Sequence, residues 1–178
     1  MRVITGTARG RKLQEPANMD IRPTTDQVKE ALFNIVQFDL EGRRVLDLFG
    51  GTGQLGIEAL SRGAAACTFV DESKASVDII KENLRRCQLQ GEVVRGDSLE
   101  FLRRCGRYDL IFIDPPYGKG LENQALERIA AFDILAKGGI ICVETRRETA
   151  VAPMPEGYGR TKEYRYGKIK LTVVTREG

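Results

Sequence analysis

The sequence predicts an α/β protein built on an open, mostly parallel sheet, with helices on both faces and an antiparallel hairpin at the C-terminal end. From residue 45 onward, short apolar runs alternate with segments of helical periodicity, which is the pattern of strands joined by crossover helices. A glycine-rich turn, residues 51–56, follows the first apolar run. The final segments, residues 161–166 and 168–175, alternate apolar and polar side chains around Gly167, as the strands of an antiparallel hairpin do.

The strands and helices of this core follow one another in regular alternation. The predicted strands are residues 45–49, 68–70, 92–95, 109–113 and 139–143. The predicted helices are residues 54–62, which Gly63 closes, residues 74–87, a short turn near residues 99–102, and a helix marked by Leu121, Ala125, Ile129 and Phe132. Because ligands of such sheets bind beyond the carboxyl ends of the strands, the residues that follow each strand are the first candidates for a site.

Residues 1–40 form a predicted N-terminal extension ahead of a core of residues 41–178. Residues 2–4 and 12–13 are expected to pair as a small hairpin around the turn at residues 6–10. Thr24 and Gln27 have capping-box spacing at the start of a helix, whose apolar stripe would consist of Val28, Leu32 and Ile35. Since about forty residues are too few to fold alone, we expect the extension to be fused to the core.

Composition limits the classes of function. The chain has 178 residues, a net charge of +3 and no histidine, and its four cysteines are scattered. The absence of histidine excludes Ser-His and Cys-His nucleophilic catalysis, and the cysteine spacing fits neither a disulfide framework nor a zinc site. No apolar run is long enough to span a membrane, and the first residues lack the apolar core of a signal peptide. We therefore expect a cytoplasmic protein, a monomer without bound metal or membrane association.

The most informative stretch is Asp114-Pro115-Pro116-Tyr117, which follows the apolar run of residues 110–113. The exocyclic amine of a nucleobase is a poor nucleophile, because its lone pair is delocalised into the ring. Acceptors aimed at its N–H bonds polarise it as a new bond forms. Asp114 and the carbonyl of Pro115 would supply those acceptors, Pro116 would stiffen the turn, and Tyr117 would stack on the base. The motif predicts methylation or similar chemistry at a base amine.

A cofactor site is predicted next to this turn. Gly51, Gly53 and Gly56 form a G-x-G-x-x-G between a strand and a helix, which is weak as an isolated motif but informative in this position. Asp71 ends the second strand, where a carboxylate accepts hydrogen bonds from ribose hydroxyls. That arrangement suits NAD and S-adenosylmethionine equally. Further polar residues after strands one and three, which favour the methyl donor, are Asp47, Asp97 and Ser98.

The same residues carry a family resemblance. Residues 47–53 resemble motif I of S-adenosylmethionine-dependent methyltransferases, whose fold is Rossmann-like, and residues 114–117 resemble their amino-methylating motif IV. Over nearly all of its 178 residues, the chain is similar to the bacterial 16S ribosomal RNA guanine-N2 methyltransferases of the RsmD type. Residues 1–6, 9–13 and especially 22–35 match that family, and Tyr166-Gly167-Lys168 resembles its C-terminal signature. Gly50 departs from the pattern, since Ala is more usual there.

The resemblance implies S-adenosylmethionine as cofactor, and 16S ribosomal RNA or the assembling small subunit as substrate. It implies that the methionine part is held by Phe49, Gly51 and Gly53, the ribose by Asp71, and the adenine by Asp97 and Ser98. Asp114 and Pro115 would hold the target amine, with Tyr117 stacked on the base. Basic and hydroxyl side chains of the extension would contact the RNA: Arg9, Arg11, Lys12, Arg22, Thr24 and Thr25.

Several alternatives stay open at this level. An adenine-N6 methyltransferase acting on DNA or RNA would use the same four residues from Asp114 to Tyr117. A non-catalytic RNA-binding protein with a vestigial cofactor site is a rival of another class, and a nicotinamide-dependent oxidoreductase is disfavoured because no hydride-transfer partner is recognisable. Whether Asp114 accepts the departing proton or only orients the amine is also open.

Overall fold

The computed structural model describes residues 1–17 and 24–178 of the chain. Its elements are α1 (Asp26–Val36), β1 (Arg44–Asp47), α2 (Gln54–Ser61), β2 (Ala66–Asp71), α3 (Lys74–Cys87), β3 (Glu92–Arg95), α4 (Ser98–Phe101), β4 (Tyr108–Ile113), α5 (Leu121–Ala131), β5 (Leu135–Arg146), β6 (Tyr158–Tyr166) and β7 (Ile169–Arg176). The prediction of an α/β fold is confirmed, and so is the C-terminal hairpin.

The strands form a single sheet in the order β3-β2-β1-β4-β5-β7-β6. Strands β1 to β5 run parallel, and β7 pairs antiparallel with both β5 and β6. Because the chain order reverses between β1 and β4, the carboxyl ends of these two strands flank the crevice where ligands of such sheets bind. Asp114 follows β4 and the glycine-rich turn follows β1, so the two predicted motifs meet at that crevice.

Alternation along the strands divides the core into two layers. Val45 and Phe112 belong to a cluster that packs against α1, α2 and α3, whereas Leu46 and Ile111 belong to a cluster that packs against α4 and α5. Successive side chains of a strand point to opposite faces, so a strand covered by helices on both sides must be apolar at every position. That requirement explains the continuous apolar runs from which the strands were predicted.

The start of α1 corrects one prediction. Thr25, and not Thr24, is the N-cap, and its hydroxyl accepts a hydrogen bond from the amide of Val28. Thr24 lies one residue earlier, and its hydroxyl points instead toward Asp114 and Glu144. The predicted apolar stripe was also partly wrong, since α1 buries Phe33 and Val36 and leaves Ile35 half-exposed.

The N-terminal residues are docked on α2 by buried polar groups. The Glu58 carboxylate accepts hydrogen bonds from the amides of Ile4 and Thr5 at 2.8 and 3.0 Å, and it pairs with Lys29 of α1 and with Arg62. The expected N-terminal pairing is present as an antiparallel bridge between Arg2 and Lys12, flanked by backbone hydrogen bonds from Val3 N to Arg11 O and from Leu13 N to Met1 O, each at 3.0 Å.

One hydrophobic cluster contains residues from both parts of the proposed division, including Val3 and Val45. The division into an extension of residues 1–40 and a core of residues 41–178 stays a prediction.

Candidate functional site

A cavity of about 580 Å³ opens at the carboxyl ends of β1, β2, β4 and β5. That volume is within the usual range for small-molecule sites. The residues that line it come from the segment before α1, the glycine-rich turn, the end of β2, the start of α3, the turn after β4 and the end of β5: Thr24, Asp47, Phe49, Gly50, Gly51, Thr52, Gln54, Leu55, Asp71, Glu72, Ser73, Ser76, Asp114, Pro115, Pro116, Tyr117 and Arg146.

The glycine-rich turn forms one wall of the cavity. Gly51 and Gly53 have φ angles of +61° and +80°, a left-handed backbone that favours glycine. A Cβ on Gly51 would have no atom within 4 Å, so the backbone there is open to a ligand. Gly53 is the N-cap of α2 and is backed by Ile80. At Gly56 a Cβ would lie 2.3 Å from the Phe69 ring, so this glycine allows α2 to pack closely on β2.

Asp71 is held in place by two backbone amides. Its Oδ2 accepts a hydrogen bond from Gly51 N and its Oδ1 accepts one from Ser73 N, each at 2.9 Å. The carboxylate is half-exposed and lines the cavity next to Glu72. A carboxylate oxygen can accept more than one hydrogen bond, so Asp71 keeps acceptor capacity toward the cavity.

Asp47 is a buried acid beneath the cavity. Its Oδ2 accepts a hydrogen bond from Gly56 N at 3.1 Å. Burial raises the pKa of Asp47 to about 7, and the nearby Asp71 charge adds to the rise while the Gly56 bond opposes it. Its carboxyl group can therefore exchange a proton near neutral pH.

The residues after β3 have structural partners of their own. The Asp97 carboxylate caps α4 by accepting a hydrogen bond from Glu100 N at 2.9 Å. The hydroxyl of Ser98 is buried and donates to the carbonyl oxygen of Leu48. Neither side chain is among the cavity-lining residues, although the amide of Gly96 bonds to the Asp71 carbonyl at 3.0 Å and so keeps this turn beside β2. Adenine binding by Asp97 and Ser98 stays a prediction.

The turn after β4 provides the opposite wall, and all four residues from Asp114 to Tyr117 line the cavity. The Thr24 hydroxyl lies 3.1 Å from Asp114 Oδ2 and 3.0 Å from Glu144 Oε2. Burial raises the pKa of Asp114 well above its usual range, and the charge of Glu144 and a hydrogen bond with it add to the rise. The Arg146 guanidinium lies over the Tyr117 ring, 5.1 Å from its centroid.

Two residues near the turn were missed by sequence reasoning. Glu144 and Arg146 lie at the end of β5, which was predicted to stop at residue 143. A signal was present, because Glu144 follows the apolar run of residues 140–143 just as Asp114 follows the apolar run of residues 110–113. Both runs end in an acid at the same edge of the sheet.

The predicted RNA-contacting residues are divided between two regions. Thr24 lies at the cavity, Thr25 caps α1, and Arg22 falls outside the described residues.

Arg9, Arg11 and Lys12 are exposed, and Arg11 lies at the far end of α3 from the cavity. The Arg11 guanidinium contacts the Arg86 carbonyl oxygen at 3.4 Å in the last turn of that helix, whereas Ser76 at its start lines the cavity. At 1.5 Å per residue, the ten residues between these points place Arg11 about 15 Å from the cavity.

Comparison with known proteins identifies the family. The model of the family described as conserved hypothetical protein 95 matches residues 1–175. The chain belongs to this family, which is the RsmD family. "Ribosomal RNA small subunit methyltransferase D" of Haemophilus influenzae is 36% identical to it over 175 residues, covering 95% of this chain and 90% of that protein. The protein of the same name from Escherichia coli K12 is 33% identical over 179 residues, covering 99% and 90%.

Solved structures agree with this assignment of the fold. The Escherichia coli protein yhhF superposes with a TM-score of 0.89 at 33% identity, over 99% of this chain and 98% of that one. A structure of the hypothetical protein TTHA0928 from Thermus thermophilus gives a TM-score of 0.83 at 27% identity, over 100% and 99%.

Within residues 1–17 and 24–178, no helix is both long and apolar enough to cross a membrane. The same part of the chain holds no group of three or more acids or cysteines placed to bind a metal ion.

Proposed function

We propose that this RsmD-family protein transfers a methyl group from S-adenosylmethionine to the exocyclic N2 amine of a guanine in 16S ribosomal RNA, in the cytoplasm. The observation that carries the proposal is the shared cavity, in which the turn from Asp114 to Tyr117 faces the glycine-rich turn from Gly50 to Thr52. A base held by the first turn and a methyl donor held by the second would meet within one enclosed volume.

The charges of the cavity wall support a cationic cofactor. Among the described lining residues the acids are Asp47, Asp71, Glu72 and Asp114, and the base is Arg146. The half-exposed Asp71 and the exposed Glu72 give this wall negative charge, which attracts the sulfonium and ammonium groups of S-adenosylmethionine and would repel the pyrophosphate of NAD, which binds at sites that offer positive charge and free amides. The acid-rich wall therefore favours the methyl donor over the nicotinamide alternative.

The residues present suit the parts of this cofactor. Asp71 and Glu72 offer acceptors for ribose hydroxyls, and the open backbone at Gly51 allows the methionine part to approach closely. When bound, S-adenosylmethionine supplies an already activated methyl group. The protein's task is then to hold the amine in line with that group and to exclude water.

The target amine would be held by oxygen acceptors at the end of β4. Asp114 and the Pro115 carbonyl accept from its N–H bonds, and the Tyr117 ring stacks on the base after it leaves its own stack. The proline pair fixes the backbone between these groups. As the nitrogen attacks the methyl carbon, positive charge develops on the nitrogen, and acceptors already in place stabilise it without reorganisation.

The choice of guanine over adenine rests on family membership and not on the geometry of the turn. Both amines could be held by Asp114. The RsmD-family proteins of Haemophilus influenzae and Escherichia coli are named as small-subunit ribosomal RNA methyltransferases, and this supports 16S ribosomal RNA as substrate. Free RNA and assembling subunits are both candidate forms of it.

The experiment is methylation in vitro with isotope-labelled S-adenosylmethionine. Free 16S RNA, partly assembled small subunits and a DNA sample are incubated separately, digested to nucleosides and resolved by mass spectrometry. The proposal predicts label in N2-methylguanosine from one of the ribosomal substrates. Label in N6-methyladenosine would show that the methylated base is adenine and not guanine. Absence of S-adenosylmethionine binding in calorimetry would favour a non-catalytic RNA-binding protein.

A further inference from the structure

Behind the proposed amine site lies a pair of acids that share one hydroxyl group. Asp114 ends β4, and Glu144 lies on the neighbouring strand β5 with only 7% of its surface exposed. The Thr24 hydroxyl stands between them, at 3.1 Å from one carboxyl oxygen and 3.0 Å from the other. Glu144 is not among the residues that line the cavity, so it would act on a bound base through Asp114 and not by contact.

The hydroxyl geometry limits the protonation of the pair. A threonine hydroxyl has one hydrogen to donate and otherwise accepts. Placed between two carboxyl oxygens at hydrogen-bond distance, it can donate to only one of them. The other contact becomes a hydrogen bond only if that carboxyl group is protonated and donates to the hydroxyl. The arrangement is fully satisfied when the two acids hold one proton between them, and then they carry one negative charge.

The surrounding charges leave this pair without a cationic partner among the described residues. Asp47 lies close enough to disfavour a second negative charge on Asp114. Arg146 is directed to the Tyr117 ring. Lys170 lies on the other face of the sheet, since it is opposite Thr145 in the β5–β7 register, and its ammonium group is bound to Glu163 and to the Thr149 carbonyl. Among the residues that the structure describes, a shared proton is the remaining way to relieve the repulsion.

We infer that Glu144 is a positioning residue for methyl transfer, which together with Thr24 keeps one proton between itself and Asp114, so that Asp114 presents a fixed acceptor oxygen to the amine. This inference rests on the proposed function. Oδ2 of Asp114 is engaged by Thr24, and we assign Oδ1 to the substrate. The contacts with Thr24 and Glu144 restrain rotation of the carboxyl group, so the oxygen offered to the amine keeps one direction.

The pair also has capacity for the proton that the reaction releases. The amine nitrogen forms a bond to the methyl carbon, the carbon–sulfur bond breaks, and its electron pair goes to sulfur. The methylated nitrogen then loses one proton to the ionised carboxylate of the pair, which becomes neutral until it releases that proton to water. Glu144 thus keeps a single acceptor available for this step while limiting the charge that is buried.

Infrared spectroscopy of the purified protein tests the shared proton without any need for activity. We expect a protonated-carboxyl stretching band at about pH 8, where Asp47, with a pKa of about 7, is mostly ionised. Glu144→Gln and Asp114→Asn should each abolish the band. Glu148→Gln, an exposed acid four residues further along, is the matched control and should keep it. Absence of the band in the wild type, or its persistence in Glu144→Gln, would overturn the inference.

Activity measured against pH separates a positioning role from a merely structural one. With Gln at position 144 the pair has no second carboxyl proton to lose, so the alkaline limb of the kcat/KM profile, which reports loss of the shared proton, should move to higher pH or disappear. Thr24→Val should lower kcat, and Thr24→Ser, which keeps the hydroxyl, should restore it. An unmoved alkaline limb in a folded Glu144→Gln variant contradicts the inference. A wild type that keeps the band but methylates no RNA contradicts the proposed function instead.

Discussion

The guanidinium of Arg146 lies over the ring of Tyr117, with its central carbon 5.1 Å from the ring centroid. Both residues line the cavity, Tyr117 from the turn after β4 and Arg146 from the end of β5. Arg146 is exposed, and a cation over an aromatic ring at an exposed site contributes only about 0.5–1 kcal/mol. An entering base can therefore displace it from the ring face, and the guanidinium then becomes free to bind a neighbouring phosphate.

Replacement of Tyr117 by Ala should weaken the binding of RNA. Loss of one stacked base removes about 1–3 kcal/mol, so the KM for RNA should rise by about five-fold to more than a hundred-fold while the affinity for S-adenosylmethionine changes little. Tyr117→Phe keeps the ring and is the matched control. Steady-state kinetics with 16S RNA or small subunits measure the effect, and equal KM values for the two variants would show that the ring does not stack on the substrate.

Asp47→Asn should stabilise the protein at high pH. Burial raises the pKa of Asp47 from 3.8 to about 7 in the folded protein, so the folded state binds the proton more tightly than the unfolded state. The destabilisation caused by the buried charge of Asp47 is absent below about pH 4, grows as the pH rises and is complete above about pH 7.

We expect the Asn variant to gain about 4 kcal/mol in the free energy of unfolding at about pH 8, and less at about pH 5. Urea unfolding at the two pH values measures the difference. A gain that does not depend on pH would mean that Asp47 is ionised throughout this range.

Gly56→Ala should destabilise the protein through a clash between α2 and β2. The added Cβ would lie 2.3 Å from the Phe69 ring and 2.7 Å from Cys67 Sγ, and overpacking of this kind costs about 1–3 kcal/mol. Gly106→Ala is the control, because a Cβ there meets no atom within 4 Å. Thermal unfolding distinguishes the two, and a Gly56→Ala variant as stable as the control would contradict the close packing.

Glu58→Gln should release the N-terminal residues from α2. The Glu58 side chain is fully buried against Lys29, whose side chain is fully buried as well, and loss of one partner from a buried ion pair costs about 3–5 kcal/mol. Trypsin should then cut at Arg9, Arg11 or Lys12 much faster than in the wild type. Glu100→Gln alters exposed pairs and should not change the cleavage rate; equal rates for both variants would refute the docking role of Glu58.

The core elements could be predicted because their burial imposes a pattern on the sequence. A parallel strand covered on both faces must be apolar throughout, and this made β4 visible as the run of residues 110–113. The lengths of the terminal strands were less visible, since β5 continues to Arg146 through the buried polar residues Glu144 and Thr145. Because these residues are polar, the strand was predicted to end at residue 143, and Glu144 was not recognised as part of it.

Polar contacts between residues far apart in the chain could not be predicted from the sequence. An acid in a helix is ordinarily expected at the surface, and only the fold shows that Glu58 is enclosed by Lys29 and residues 4–5. The sequence also could not distinguish Thr24 from Thr25 as the N-cap, because adjacent threonines offer the same local chemistry. The acids of β4 and β5 decided it, since they take the Thr24 hydroxyl and leave Thr25 to cap the helix.

The most direct measurement of the central claim is the amount of N2-methylguanosine in 16S ribosomal RNA from cells that lack the gene for this chain. The gene is returned as wild type or as Asp114→Ala, with expression and S-adenosylmethionine binding checked for both proteins. The account predicts that the wild type restores the modified nucleoside and that the variant does not, although it binds the cofactor within a few-fold. Restoration by Asp114→Ala, or no change in that nucleoside with the wild-type gene, would contradict it.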